Sequence, residues 1–262
     1  MVERDELIEF CDRLLGVEGF TDYCPNGLQV PGRRRVGRVA TAVSANLAAL
    51  EEAVEGGADL VLAHHGLFWE FHPRALSEAM AARLRLALSE GISVAGYHLP
   101  LDAHPEIGNN ALLSRELGFA PGGSAAVDPD GWQRFAAVKG AAIGVVGERP
   151  DGLPIAELAD LVTERLGRPP LVQGRGPERI HTLGVVTGSA ASAITEAIAL
   201  GLDAMLTGEP AEHAMADAEE GGIHFLAAGH YATETLGIRR LGELVAERFG
   251  LDHTFIDVPN PV

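Results

Sequence analysis

The chain has 262 residues and a formal net charge of −17, because 37 Asp and Glu side chains outnumber 20 Lys and Arg side chains. This length fits one large or two small domains, and it allows a sizeable core without disulfides or structural metals. The negative charge disfavours proteins that coat nucleic acid, since such a surface repels phosphate at long range. With 47% hydrophobic and 22% charged residues, the composition is that of an ordinary globular protein.

Several classes of protein are disfavoured by short segments of the sequence. Cys11 and Cys24 are too few for a disulfide scaffold or a zinc site built from cysteine. The first ten residues, MVERDELIEF, are charged and periodic, unlike a secretory signal. No run of 18 apolar residues is present, so we expect no membrane span and a cytoplasmic location. The basic run at residues 33–35 could bind an anion, although such runs are more often solvated loops.

The first half of the chain alternates between predicted helices and strands. Residues 5–15 have their apolar side chains at helical spacing, whereas the CPNG sequence from Cys24 is typical of a turn. The elements predicted after that turn are strand 36–43, helix 47–55, strand 60–63, helix 75–89, strand 92–97 and helix 110–117. Such alternation predicts an α/β fold with a mostly parallel sheet that is covered on both faces.

The second half repeats this alternation after a less regular segment. Residues 126–179 contain only a predicted strand at 141–146 and a predicted helix at 155–166. The alternation then resumes with strand 183–187, helix 190–200, strand 204–206, helix 211–219, strand 223–227, helix 233–249 and strand 254–258. Ser44 and Ser189 precede two of the predicted helices, and we expect them to be N-caps.

The two alternating stretches resemble each other, which predicts a pair of related lobes. VATAVSANLAALEEAVEGGADLVLAHHG from Val39 matches LGVVTGSAASAITEAIALGLDAMLTGEP from Leu183 at a constant shift of 144 residues. GISVAGYHLPLD from Gly91 also matches GIHFLAAGHYATE from Gly222, with one extra residue in the second copy. We therefore predict two similar α/β lobes with mostly parallel sheets, at residues 1–125 and 126–262.

Each lobe has a histidine and a carboxylate after its third strand. The first lobe has His98 and Asp102, and the second has His230 and Glu234, both in a His-x-x-x-carboxylate pattern. Ligands of open α/β sheets bind at the carboxyl ends of the strands. His230 and Glu234 would share one face if a helix has already begun, whereas Pro100 predicts a loop or turn between His98 and Asp102.

A second polar pair follows the strand at residues 60–63 of the first lobe only. His64 and His65 stand there, whereas the second lobe has Gly208 and Glu209 at the corresponding positions. Adjacent side chains of an extended segment point to opposite sides, which favours two ions that share a bridge over one chelated ion. Imidazole and carboxylate are ligands of zinc, iron and manganese. The pattern predicts two divalent ions roughly 3.5–4 Å apart, an arrangement suited to hydrolysis.

The remaining motifs have ordinary structural explanations. Six histidines are predicted to be core or surface residues: His72, His104, His181, His213, His224 and His253. The GVVTGS sequence at residues 184–189 could cradle a phosphate, but close packing of a helix explains it more simply. Neither a Gly-x-Ser-x-Gly nucleophile elbow nor a phosphate-loop lysine is present.

Four blocks of the sequence resemble the Nif-three-like family, whose members are often labelled dinuclear metal-centre proteins or GTP cyclohydrolase I type two homologues. The blocks are CPNGLQV at residues 24–30, LVLAHHGLFW at 60–69, YHLPLDAHPEIGNN at 97–110 and GHYATETLGIRRL at 229–241. They come in the family's order and span nearly the whole chain. Cys24 departs from the family, which often has Asp or another polar residue there, with no expected consequence for the metals.

The resemblance implies two similar α/β lobes with a two-metal site between them. The implied ligands are His64, His65, Asp102, His230 and Glu234, with Glu234 as the bridge. His98 matches a family histidine beside the site, which makes it a candidate for acid–base catalysis. The resemblance also implies a toroidal homohexamer.

These patterns favour a metal-dependent hydrolase that acts on a small nucleotide-like or phosphorylated substrate. A cyclohydrolase would also need a pocket that reads guanine, which no motif indicates. One alternative is a non-catalytic metal-binding regulator or metallochaperone, whose ions would exchange readily. Another is a ring that handles nucleic acid, against which the net charge of −17 argues.

Overall fold

A computed structural model describes residues 1–122 and 128–262, which form two compact units. Unit 1 comprises Met1–Leu101 and Gly237–Val258, and unit 2 comprises Asp102–Leu236 and Pro259–Val262. Unit 1 is therefore discontinuous in sequence, because Gly237–Val258 packs with the N-terminal segment. The predicted lobe boundary at residue 125 lies outside the described residues.

Helices and strands alternate along most of the chain. Up to Ala103 the elements are β1 (Val2–Glu3), α1 (Arg4–Leu15), β2 (Gly27–Val30), β3 (Arg35–Val36), β4 (Arg38–Ser44), α2 (Leu47–Glu55), β5 (Leu60–His65), α3 (Glu78–Glu90), β6 (Ser93–Gly96) and α4 (Leu99–Ala103). They continue with α5 (Asn109–Glu116), β7 (Ala120–Pro121), β8 (Gln133–Val138), β9 (Ala141–Pro154), α6 (Ile155–Leu166), β10 (Leu171–Gly174) and β11 (Arg179–Val185). The last are α7 (Ile194–Ala199), β12 (Ala204–Thr207), α8 (Glu212–Gly221), β13 (His224–Ala227), α9 (His230–Thr233), α10 (Thr235–Phe249) and β14 (Asp252–Phe255).

Unit 1 is built on a five-stranded sheet in the order β14-β4-β5-β6-β2. All neighbours in it are parallel except β2, which pairs with β6 in the antiparallel direction. The central strand β5 is buried from Leu60 to His64, as expected for a strand covered on both faces. Its side chains Val61 and Ala63 join a core that includes Ala49 and Leu50 of α2.

Unit 2 is built on a seven-stranded sheet with a parallel centre. Strands β11, β12 and β13 are parallel neighbours, and β10 and β9 flank them in the antiparallel direction. Strands β7 and β8 both pair with the long strand β9. The core of this unit includes Leu183, Val185 and Leu206 of the parallel strands.

The parallel centres of the two sheets have the same register, which confirms the predicted α/β fold. Val39 pairs with Leu60 in unit 1, and Leu183 pairs with Ala204 in unit 2, at the same shift of 144 residues as in the sequence match. The next pairs are Leu60 with Ser93 and Ala204 with His224. The repeated sequence pattern therefore corresponds to a repeated three-strand arrangement.

Three local predictions, one of a loop and two of helix N-caps, are wrong. The segment that contains Pro100 is helix α4 and not a loop, since a proline is tolerated in the first turn of a helix. Ser44 is no N-cap, because Asn46 caps α2 by accepting a hydrogen bond from the Ala49 N–H. Ser189 is not a cap either, since the turn Ala191–Ala193 that precedes α7 follows Ala190 without a side-chain cap. In the described ranges, no helix has the length and apolar character to cross a bilayer.

Candidate metal centre

Three histidines of unit 1 converge at the carboxyl ends of two neighbouring strands. His64 and His65 end β5, and His98 follows β6 after one residue. The ring centroids lie 4.8 Å apart for His64 and His65, and 5.2 Å apart for His64 and His98. Each ring offers a nitrogen within 4.8 Å of the nitrogens of the other two. The predicted grouping of these side chains at one sheet edge is thus present in unit 1.

Hydrogen bonds orient the adjacent pair of histidines. The Nδ1 of His64 donates to the carbonyl oxygen of Tyr97 at 2.9 Å, which assigns the proton to Nδ1. The Nδ1 of His65 lies 3.2 Å from the hydroxyl oxygen of Ser44. Histidine ligands of metals commonly fix one ring nitrogen in this way and bind the ion through the other. Nε2 is therefore the candidate ligand atom of both rings.

His98 is paired with the buried carboxylate of Asp22, which no sequence motif had indicated. Its Nδ1 donates to Asp22 Oδ1 at 2.7 Å, and the Asp22 side chain is 2% exposed. Burial alone would raise the pKa of Asp22, but hydrogen bonds from His98, Asn26 and the Leu99 N–H outweigh it and lower the pKa. Asp22 is therefore ionised at neutral pH and fixes the orientation of the imidazole.

Two further side chains surround this histidine cluster in unit 1. The Cys24 thiol lies 4.0 Å from Asp22 Oδ1, and Cys24 is buried. Trp69 packs edge-on against His98, with ring centroids 5.1 Å apart, and its centroid lies 5.7 Å from that of His65. Cysteine, histidine and carboxylate all occur as transition-metal ligands, so the donor types present here suit such an ion.

The other three predicted ligands come together in unit 2. Asp102 lies on α4, His230 begins α9, and Glu234 stands at the junction between α9 and α10. His230 Nε2 lies 3.1 Å from Glu234 Oε2, so this pair does share one face, as its spacing predicted. Asp102 and Glu234 each offer a carboxylate oxygen within 4.8 Å of the other. Both are buried, with 4% and 2% of their surface exposed.

Neighbouring polar groups hold these carboxylates and the imidazole in place. Asn109 donates to Asp102 Oδ1 at 2.8 Å, and the Thr187 hydroxyl donates to the same oxygen at 3.3 Å. His230 Nδ1 donates to Glu209 Oε1 at 2.5 Å. No sequence motif predicted this role of Glu209, although the repeat aligns Glu209 with His65.

The electrostatics of the unit 2 cluster suit a divalent cation. Burial alone would lower the pKa of His230, but Glu234 and Glu209 outweigh it and raise the pKa to about 9. The cluster therefore concentrates negative charge in a buried place, which a divalent cation would offset. Two carboxylates and one oriented imidazole are donors that fit zinc, iron or manganese.

Close packing around Glu234 and His230 explains the GVVTGS sequence without a phosphate. Gly188 has a φ of +70°, and a Cβ there would lie 2.4 Å from Glu234 Oε1. A Cβ at Gly208 would lie 2.6 Å from the Cα of His230. The turn after β11 thus needs glycine because the candidate ligands lie directly against it.

The six histidines that were predicted to be structural remain outside these clusters. In the part of the chain that the structure describes, none of them belongs to a group of three potential ligands. His253 is hydrogen-bonded to the Thr41 hydroxyl at 2.8 Å, and His224 to the Pro177 carbonyl oxygen at 3.1 Å. These contacts are those expected of histidines that stabilise the fold.

Comparison with known proteins gives one consistent result. The family model described as Duf34/NIF3 (NGG1p interacting factor 3) matches residues 2–261. A Pseudomonas aeruginosa protein named GTP cyclohydrolase 1 type 2 homolog is 43% identical over 255 residues, which cover 97% of each chain. A solved structure described as protein ybgI, of unknown function, has 40% identity and a TM-score of 0.91 over 100% of both chains. The crystal structure of TTHA1606 from Thermus thermophilus has 34% identity and a TM-score of 0.87 over 100% of both chains.

Proposed function

Because the chain belongs to the Duf34/NIF3 family, we propose that it is a metal-dependent hydrolase with a centre of two divalent ions. One observation carries this proposal. Buried or half-buried imidazole and carboxylate groups converge in each unit. Hydrogen bonds to neighbouring groups hold the ring nitrogen that faces away from the cluster. Such support of the ligands is typical of metal sites.

The proposed ligands are His64 and His65 from unit 1 with Asp102, His230 and Glu234 from unit 2. Neither set alone provides enough protein ligands for two ions, which bind about four to six donors each. The chain favours one shared centre, because only three residues separate His98 of the first cluster from Asp102 of the second. Glu234 is the proposed bridge, since a carboxylate can offer one oxygen to each ion.

The proposed reaction is hydrolysis of a small nucleotide-like or phosphorylated substrate. Two divalent ions would lower the pKa of a water molecule and stabilise the charge that develops on the substrate. His98, oriented by the Asp22 carboxylate at 2.7 Å, would take up the proton of the attacking water or deliver one to the leaving group. The name of the Pseudomonas relative makes ring opening of a purine one reaction of this class to test.

The decisive experiment measures metal per chain by elemental analysis, on protein purified without a histidine tag or chelator. We expect about two ions per chain in the wild type and a sharp decrease in Glu234→Ala. Glu220→Ala, which removes an exposed carboxylate from the end of α8, is the matched control and should keep the wild-type content. A metal content near zero, even after reloading with zinc, iron or manganese, would overturn the proposal.

A substrate screen then tests the catalytic part of the proposal. The metal-loaded protein should hydrolyse at least one phosphoester, amide or purine-ring substrate, and His98→Ala should slow that reaction while leaving the metal content unchanged. Two bound ions without any turnover would instead favour a metal-binding regulator or metallochaperone. We propose in addition a homohexameric ring, which light scattering coupled to size-exclusion chromatography tests directly.

A further inference from the structure

A cavity of about 410 Å³ opens beside the histidine cluster of unit 1. Its lining begins at Phe68 and Trp69, three and four residues after His65, and ends at Arg83 on α3. Trp69 borders both the cavity and the cluster, because its ring also lies 5.7 Å from that of His65. This volume falls in the range of pockets that bind small molecules. A ligand in the cavity would therefore lie next to the proposed metal ligands.

The charged side chains that line the cavity are basic, in a protein of net charge −17. Arg74 and Arg83 both line it, and the described residues of its lining include no Asp or Glu. The Nε of Arg83 is buried and has no hydrogen-bond partner among the described residues. A buried N–H group of a guanidinium without an acceptor is costly. An anion with two oxygens would bind the guanidinium in a bidentate manner, with one oxygen accepting from the Nε–H and the other from an Nη–H.

The rest of the lining suits a flat ring. Phe68 and Trp69 supply aromatic surface, and Met80 adds a thioether that packs well against rings. Ser77 also lines the cavity and caps α3 by accepting a hydrogen bond from the Met80 N–H. The positive end of the 13-residue helix α3 therefore lies at the cavity and adds to the field of the two arginines.

We propose that this cavity binds a phosphorylated heteroaromatic compound, of the size of a nucleoside monophosphate. Arg74 and Arg83 bind its phosphate, and its ring packs against Phe68 and Trp69. Trp69 places the cavity beside the histidine cluster, so the bound compound would be the substrate of the metal centre. This second step rests on the proposed function. The binding itself depends only on the residues of unit 1, so it can be tested without turnover and without metal.

The intrinsic fluorescence of Trp69 provides the test. The chain has two tryptophans, and Trp132 is fully buried in unit 2, so Trp132→Phe leaves Trp69 as the reporter. This protein is titrated with guanosine monophosphate, adenosine monophosphate, guanosine and inorganic phosphate, and each affinity is checked by calorimetry. We expect saturable quenching by the monophosphates, with affinities about tenfold or more higher than those of guanosine or phosphate alone.

Variants then assign the binding to the cavity. Arg83→Ala should weaken binding of the monophosphates by about tenfold or more. Arg85→Ala, an exposed arginine on the same helix outside the lining, should leave binding unchanged. Circular dichroism verifies the fold, and Arg74→Ala repeats the test on the segment before α3. No saturable binding in the millimolar range, or equal losses in Arg83→Ala and Arg85→Ala, would overturn the inference.

The metal-site variant separates this inference from the proposed function. Glu234→Ala should still bind the monophosphates, because its carboxylate belongs to unit 2 and the cavity to unit 1. Metal binding without nucleotide binding would overturn the cavity inference alone. Nucleotide binding by a protein that holds no metal would support the cavity and overturn the proposed hydrolase.

Discussion

The two parallel sheet centres share a register but use corresponding strand ends in different ways. In unit 1 the positions after the middle strand's apolar run are His64 and His65, both candidate ligands. In unit 2 the corresponding positions are Gly208 and Glu209. Gly208 allows the backbone of His230 to approach, and Glu209 orients the His230 ring. Corresponding backbone positions thus carry candidate imidazole ligands in unit 1 and residues that position an imidazole in unit 2.

A second difference concerns the carboxylates that orient histidines. Glu209 belongs to the repeat and holds His230, whereas Asp22, which holds His98, comes from the segment between α1 and β2. The histidines of the two matching His-x-x-x-carboxylate segments are therefore oriented by carboxylates that do not correspond to each other in the repeat. Similarity between the repeats identifies the candidate ligands better than it identifies the residues that orient them.

The largest effect is expected from giving Gly208 a side chain. In Gly208→Ala the new Cβ would lie 2.6 Å from both the Gly188 carbonyl oxygen and the Cα of His230. Such overpacking should lower the free energy of unfolding by about 1–3 kcal/mol, and displacement of His230 should reduce the metal content. Urea denaturation and elemental analysis measure the two effects. Gly19→Ala, where a Cβ meets nothing within 4 Å, is the control, and equal stability of both variants would contradict the packing argument.

An intermediate effect is expected from removing the support of His230. Glu209→Ala eliminates the hydrogen bond to Nδ1, and loss of such a bond typically weakens metal affinity by about 10- to 100-fold. Competition with a chelator measures the affinity, and Glu209→Gln should recover part of it because its amide oxygen still accepts the bond. If Glu209→Ala bound metal as tightly as the exposed control Glu220→Ala, Glu209 would have no role in orienting His230.

The smallest effect is expected at Asp22. Asp22→Asn should keep the metal content but lower the free energy of unfolding by about 1 kcal/mol at pH 7, since a neutral amide stabilises His98 less than a carboxylate. Because folding lowers the pKa of Asp22 below its ordinary value of 3.8, the ionised carboxylate stabilises the protein above that pH. The difference between wild type and variant should stay constant from about pH 7 to 5 and shrink as pH falls through the lowered pKa. Urea denaturation across this range checks it, and a difference that vanishes between pH 7 and 5 would contradict the assigned shift.

The elements predicted from the sequence are those whose own residues show a clear apolar pattern. Helices α1, α2 and α6 were recognisable because their apolar residues recur at helical spacing, and strands β4, β5 and β13 because they are short runs rich in apolar residues. Strands β2, β8 and β10 were missed. The four-residue strands β2 and β10 pair in the antiparallel direction with strands that are distant in sequence, whereas β8 pairs with the next strand but lacks a regular alternation of apolar residues. Helix α10 was predicted to begin at residue 233. The helical backbone is instead interrupted at Glu234, whose φ is −109°, and α10 begins at Thr235.

The sequence by itself determined the family, the α/β class and the candidate ligand types, because these depend on residue identity and on periodic spacing along the chain. Only the tertiary structure identified Asp22, Asn109 and Glu209 as the groups that hold these side chains, and the arginine-lined cavity beside Trp69. Asp22 lies 76 residues from its histidine, and Glu209 lies 21 residues from its own. Contacts over such separations follow from how strands and helices pack, which no local pattern records.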